Sequence, residues 1–143
     1  MVINIKTATT KKDKGKCFSI RQSVFVREQN ISKKIEFDDA NVDAKYFIAK
    51  YNNIFVGTAR YRFTKLGIKL ERFAVLKSYR NLGIGKELVH YILNSIKNKN
   101  LIYLHAQEPV IDFYSRLGFK RIGSQFFEAE IPHQKMIYQR RNK

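Results

Sequence analysis

The residues best placed to do chemistry lie between positions 70 and 119. An apolar run, Leu70-Glu71-Arg72-Phe73-Ala74-Val75, leads towards Arg80-Asn81-Leu82-Gly83-Ile84-Gly85-Lys86, and a helix-patterned segment follows. A strand feeding a glycine loop that opens a helix makes an anion site, because backbone N–H groups and the positive end of the helix dipole converge there. A phosphorylated cofactor is therefore expected. The loop is not the dinucleotide fingerprint, which needs a third glycine and an acidic residue about 20 positions later. It is not a Walker loop either, since no G-K-[ST] follows. Further on, Phe113-Tyr114-Ser115-Arg116-Leu117-Gly118-Phe119 supplies a phenol. With a reference pKa of roughly 10, a phenol stays protonated at neutral pH and can donate. His105 and His133 have no second His or Cys at metal-ligand spacing, so no metal is expected.

Positioning these residues requires a mixed set of elements. Val2 to Thr7 alternates like a strand, and residues 13 to 28 place Cys17, Ile20, Val24 and Phe25 on one helical face. Residues 29 to 44 are polar and acidic and read as an irregular segment beside a site. Tyr46 to Tyr51 and Ile54 to Phe63 read as strands joined by Asn52-Asn53, a pair suited to the positive φ angles of a hairpin turn. Lys65-Leu66-Gly67 turns the chain into a fourth strand, Ile68 to Val75, completing an antiparallel meander. From Gly85 a helix buries Leu88, Val89, Ile92, Leu93 and Ile96, with Lys97 and Lys99 near its end. Leu101 to Ala106 follows as a short strand, then a helix from Val110 to Leu117 stopped by Gly118, then two late strands around Phe126 and Met136 to Tyr138.

The loop between Arg80 and Gly85, after a strand and before a helix, resembles the [QR]-x-x-G-x-[GA] segment of the GNAT superfamily of acyl-CoA-dependent N-acyltransferases. Phe113 to Phe119 is similar to that family's Y-x-x-x-G-F, and the two motifs stand in the right order. Val24-Phe-Val-Arg-Glu-Gln29, Glu36-Phe-Asp38, Leu104-His-Ala-Gln107 and the segment from Glu130 to Met136 look like a small bacterial branch of single-domain members. The resemblance implies an α/β GNAT fold: a central, mostly antiparallel sheet whose fourth and fifth strands run parallel and splay apart, flanked by helices, in one domain spanning residues 1 to 143. The helix from Gly85 would be the crossover between those two strands.

The same resemblance implies roles. Amides of Leu82, Gly83 and Gly85 would cradle the coenzyme A pyrophosphate, with Arg80 and Lys86 adding charge and Asn81 and Ile84 completing the loop. Phe73 and Val75 would pair through their main chains with the pantetheine arm, the Val75 amide polarising the thioester carbonyl. Tyr114 would protonate the leaving thiolate, and Phe113 is the better core candidate of the two rings. Glu71 would take the amine proton, often through water. Glu28, Gln29, Glu36 and Asp38 would face the acceptor, as would His133. Gln107 stands where many members carry Asn, a departure at a usual cofactor contact.

The expected reaction is direct transfer of an acetyl group from acetyl-CoA to a primary amine of a small molecule, an amino-sugar phosphate being attractive on charge. Cys17, alone and on an apolar face, reads as core, so no covalent acyl-enzyme is expected. One cysteine excludes an intramolecular disulfide and fits a reducing, cytoplasmic location; no stretch approaches the ~18 apolar residues a membrane helix needs. The net charge of +16 keeps a second class open, a basic nucleic-acid-associated protein, although no helix-turn-helix, zinc-finger or RNP-type motif is visible and nucleic acid is not the expected partner. A non-catalytic acyl-CoA sensor would use the same loop. The family also allows a homodimer.

Overall fold

The computed structural model describes residues 2–33 and 43–140. The chain forms two compact units, Met1–Arg62 with Arg72–Lys97, and Phe63–Glu71 with Asn98–Lys143.

In the first unit, β1 (Ile3–Ala8) precedes α1 (Lys11–Arg21), whose start is capped by Thr10 Oγ1 accepting from the Asp13 N–H at 3.0 Å. The segment expected to be one helix to residue 28 changes winding. From Gln22 to Glu28 it is a π-helix, closed by the Gln29 N–H donating to Val24 O at 3.1 Å. Val24 and Phe25 are buried within it. They pack with Cys17, Ile20, Tyr46 and Ile48.

Strands β2 (Lys45–Tyr51) and β3 (Ile54–Phe63) form the expected hairpin, with Asn52 and Asn53 at φ 49° and 69°. β2 also pairs antiparallel with β1, and β3 neighbours β4 (Ile68–Val75), which runs at the bounds read from the sequence. Helix α2 spans Ile84–Ser95, one residue earlier than expected at its start. Ile96 is its C-cap, so Lys97 and Lys99 fall beyond the last turn. Its buried side, Ile84, Leu88, Val89 and Ile92, lies close over Gly57 of β3: a Cβ there would meet Ile84 Cγ2 at 3.1 Å and Leu88 Cδ1 at 3.4 Å.

In the second unit, the start of β4 pairs parallel with β5 (Ile102–Gln107), the ladder running from Ile68–Ile102 to Leu70–Leu104. A 3₁₀ turn (Glu108–Val110) then leads into α3 (Ile111–Arg116), which ends before Gly118 at φ 100°. β8 (Ile131–Tyr138) pairs antiparallel with β5 and carries two short strands: β7 (Phe126–Glu128), and β6 (Phe119–Arg121), which sequence reading missed. Among the described residues, eight strands belong to a mixed sheet with a parallel β4–β5 step and flanking helices, the expected α/β class.

Candidate active site

In the first unit, the chain leaves β4 through a held peptide. The Leu76 N–H donates to Val56 O of β3 at 2.9 Å, and on the other side of the same peptide Val75 O accepts from Arg80 Nε, also at 2.9 Å. A 3₁₀ turn (Lys77–Tyr79) brings Arg80 back to that carbonyl. Asn81 (φ 64°) and Gly83 (φ 85°) then take left-handed conformations, and α2 starts at Ile84 with no side-chain hydrogen bond capping it. Asn81, Leu82, Gly83 and Lys86 are exposed, Gly85 partly so. The first turn of α2 thus opens outward from a backbone curl of the kind that holds anions. Glycine at 83 is needed for its φ, since a Cβ would meet nothing within 4 Å.

The geometry around Arg80 differs from a side chain aimed only at a phosphate. Its Nη1 and Nη2 donate to Glu28 Oε2 and Oε1 at 2.6 and 2.7 Å, a bidentate pair. The hydrogen bonds from Arg80 hold the Glu28 carboxyl below its ordinary range, and Glu28 raises the guanidinium in turn. Glu28, expected to face the acceptor, is therefore brought to the loop. Gln29 is the C-cap of the π-helix. Phe73 and Val75 stand half-buried at the end of β4. Glu36 and Asp38 lie outside the described residues, as does most of the acidic segment around them.

In the second unit, Glu71 is buried in β4 with its Oε1 3.5 Å from Lys69 Nζ. Gln107 ends β5 and stands opposite His133 in register. Tyr114 is buried in α3, edge-on to Phe113 at 5.0 Å and to Phe119 at 5.9 Å, and burial pushes its phenol well above the ordinary value of 10. This corrects one expectation: Tyr114, not Phe113, is the more buried ring, because it is the side of α3 carrying Ile111 and Tyr114 that turns inward. A phenol so placed keeps its proton across the physiological range.

His133 belongs to a cluster that sequence reading did not assemble. Its Nδ1 lies 2.7 Å from Ile131 O; a carbonyl only accepts, so Nδ1 carries the proton. Its Nε2 lies 3.6 Å from Glu128 Oε1, and His105 Nδ1 lies 3.1 Å from Glu128 Oε2. Phe126 stacks on His133 and meets His105 edge-on. The hydrogen bond from His105 is the main reason the Glu128 carboxyl sits at about 2. Glu128 went unnoticed because the β7–β8 turn uses Ala129 and Glu130 at φ 49° and 63°, without the Gly or Asn that advertises a hairpin. Among the described residues, no group of three or more His, Cys, Asp or Glu is arranged to hold a metal, and no helix is long and apolar enough to cross a membrane.

Comparison with known proteins adds to this geometry. A profile of the acetyltransferase (GNAT) domain matches residues 8–140. A Bacillus subtilis (strain 168) protein described as an acetyltransferase is 36% identical over 142 residues, covering 96% of this chain and 97% of that one. Escherichia coli ElaA superposes with a TM-score of 0.83 at 24% identity, over 96% of this chain and 99% of its own. Arabidopsis thaliana Naa50, solved with the bisubstrate analogue CoA-Ac-MVNAL, gives a TM-score of 0.68 at 23% identity, covering 95% and 98%. The two structural likenesses establish the fold that the topology describes.

Proposed function

The chain belongs to the acetyltransferase (GNAT) domain family and is an acyltransferase, and on that footing we propose that it transfers an acetyl group from acetyl-CoA to a primary amine, directly, within a ternary complex. The observation that carries this reading is the exposed backbone curl from Arg80 to Lys86 at the start of α2, with Asn81 and Gly83 in left-handed conformations. Such a curl suits a pyrophosphate because several N–H groups and the helix dipole act on one anion. The CoA-containing analogue on Naa50 is consistent with it.

In this scheme the amides of Leu82, Gly83 and Gly85 and the Lys86 ammonium hold the pyrophosphate, with Asn81 and Ile84 shaping the curl. The main chain of Phe73 and Val75 pairs with the pantetheine arm, and the Val75 N–H stabilises the oxyanion that forms when the amine nitrogen attacks the thioester carbonyl. Glu71, directly or through water, accepts the proton the amine loses. Collapse of the tetrahedral intermediate breaks the C–S bond, and Tyr114 donates its proton to the departing sulfur. Gln107 and His133, paired across β5 and β8, contribute to the cofactor and acceptor sides respectively. Among small-molecule acceptors, an amino-sugar phosphate suits the +16 charge, since lysines would hold its phosphate.

A screen of amines with acetyl-CoA, following thiol release, tests the proposal. Tyr114→Phe should still bind coenzyme A and lose turnover. Full turnover by that variant at every pH would remove Tyr114 as the acid, and binding without turnover for any amine would favour an acyl-CoA sensor.

A further inference from the structure

The sequence resemblance makes Arg80 a source of positive charge for the cofactor, yet each of its three guanidinium nitrogens already donates to a protein oxygen. Nε donates to Val75 O at 2.9 Å, and Nη1 and Nη2 fork onto the Glu28 carboxylate at 2.6 and 2.7 Å. A phosphate taking that fork would have to displace Glu28 or approach its negative charge.

The three points that these bonds join differ in kind. Val75 closes β4 and carries the amide assigned to the thioester carbonyl. Glu28 is the last residue of the π-helix, fifty-two positions before Arg80. Arg80 itself begins the curl that leads to Gly83. A planar fork can join three such points at fixed angles, which a flexible ammonium cannot. The other side of the Val75–Leu76 peptide is tied to Val56 O, so Arg80 completes the immobilisation of that peptide.

We infer that Arg80 is a positioning residue rather than a phosphate ligand: through Glu28 and the Val75 carbonyl it fixes the strand end and the anion-binding curl before the coenzyme arrives. Glu28 is then the curl's anchor on the π-helix, and the unusual winding of residues 22 to 28 serves to present that carboxylate. The consequence for affinity rests on the acyl-CoA reading; the positioning itself is a property of the free protein.

A double-mutant cycle separates the two roles. Coenzyme A affinity is measured by titration calorimetry for wild type, Glu28→Gln, Arg80→Gln, Arg80→Lys and the double variant Glu28→Gln/Arg80→Gln, at a temperature where each is folded. Positioning predicts that Glu28→Gln and Arg80→Gln each weaken binding by about tenfold, that the double variant is little worse than either, and that Arg80→Lys fails like Arg80→Gln. The salt dependence of the Arg80→Gln dissociation constant should match wild type, because no phosphate contact has gone. If Arg80 is instead a phosphate ligand, Glu28→Gln frees it and binding tightens or holds, Arg80→Lys retains most affinity, and the salt dependence falls; that pattern would overturn the inference. Hydrogen exchange of the Leu76 and Glu87 amides, which donate to Val56 O and Gly83 O on either side of the curl, gives the second readout, without coenzyme. Glu28→Gln should speed exchange there, and unchanged exchange refutes the positioning role. A wild type that does not bind coenzyme A would defeat the proposed function alone, the exchange result still deciding the role of Arg80.

Discussion

Glu128 Oε2 lies 3.1 Å from His105 Nδ1, so a residue of β7 is tied to β5 across the intervening strand β8. The other oxygen of the same carboxylate faces His133 Nε2 at 3.6 Å. Lys69 adds a further positive charge to the surroundings. Among the described residues the short β7 has β8 alone as a ladder partner, and this carboxylate gives it a second attachment.

A pH dependence follows from it. The carboxyl titrates near 4.5 ordinarily and at about 2 in the folded protein. A depressed folded value means that the group contributes stability above its unfolded pKa and that the contribution disappears as pH falls from about 4.5 towards about 2. Thermal unfolding of wild type and Glu128→Gln at pH 7 and pH 3 checks this: wild type should lose more melting temperature on acidification than the variant. Equal losses would show that the cluster does not hold the charge in the fold.

The β7–β8 turn offers a stabilising change. Ala129 and Glu130 sit at φ 49° and 63°, which costs a non-glycine residue on the order of 1 kcal/mol. Replacing the pair by Asn-Gly should raise the melting temperature by about 3 °C. A fall would mean that the native side chains make contacts that outweigh the backbone cost.

Gly83 is a separate test of the curl. At φ 85°, with nothing within 4 Å of a built Cβ, its replacement is penalised by conformation and not by collision. Gly83→Val should therefore weaken coenzyme A binding by a hundredfold or more, about 3 kcal/mol, while Gly83→Asn, which tolerates left-handed φ, should lose much less. Equal losses for the two, measured by calorimetry, would point to side-chain bulk meeting the ligand instead.

Most of the scaffold could be read from residue pattern. The β2–β3 hairpin announced itself through Asn52-Asn53, β4 through its bounding turn, and α2 through its apolar face. Three features were not legible, each for a physical reason. The π-winding of residues 22 to 28 leaves an apolar spacing close to that of an ordinary helix. β6 spans only Phe119–Arg121, too short for alternation to register. The β7–β8 hairpin turns on Ala129-Glu130, so its pairing of Glu128 with Ile131 had no turn signal. The site divides in the same way. Residue types pointed to the curl and to Tyr114 as candidates, whereas Glu28 with Arg80, and Glu128 with His105, are partnerships between residues distant in sequence that only the fold brings together, and Glu128 meets His133 across a turn that the sequence does not announce.

The buried phenol carries a further expectation. Because burial pushes Tyr114 upward, its ionisation should not cause any loss of rate up to about pH 10. An alkaline limb that vanished in Tyr114→Phe while the variant stayed active would contradict both the burial and the acid role.

The central claim is that this chain binds an acyl-CoA for transfer. Titration calorimetry of the wild-type protein with acetyl-CoA, at low and at roughly physiological salt, tests it most directly. One-to-one binding that persists at the higher salt, and that Gly83→Val abolishes, is the predicted result. Heat that vanishes with salt, or binding indifferent to Gly83→Val, would mean that the +16 charge attracts the coenzyme without a built site, and would contradict the account.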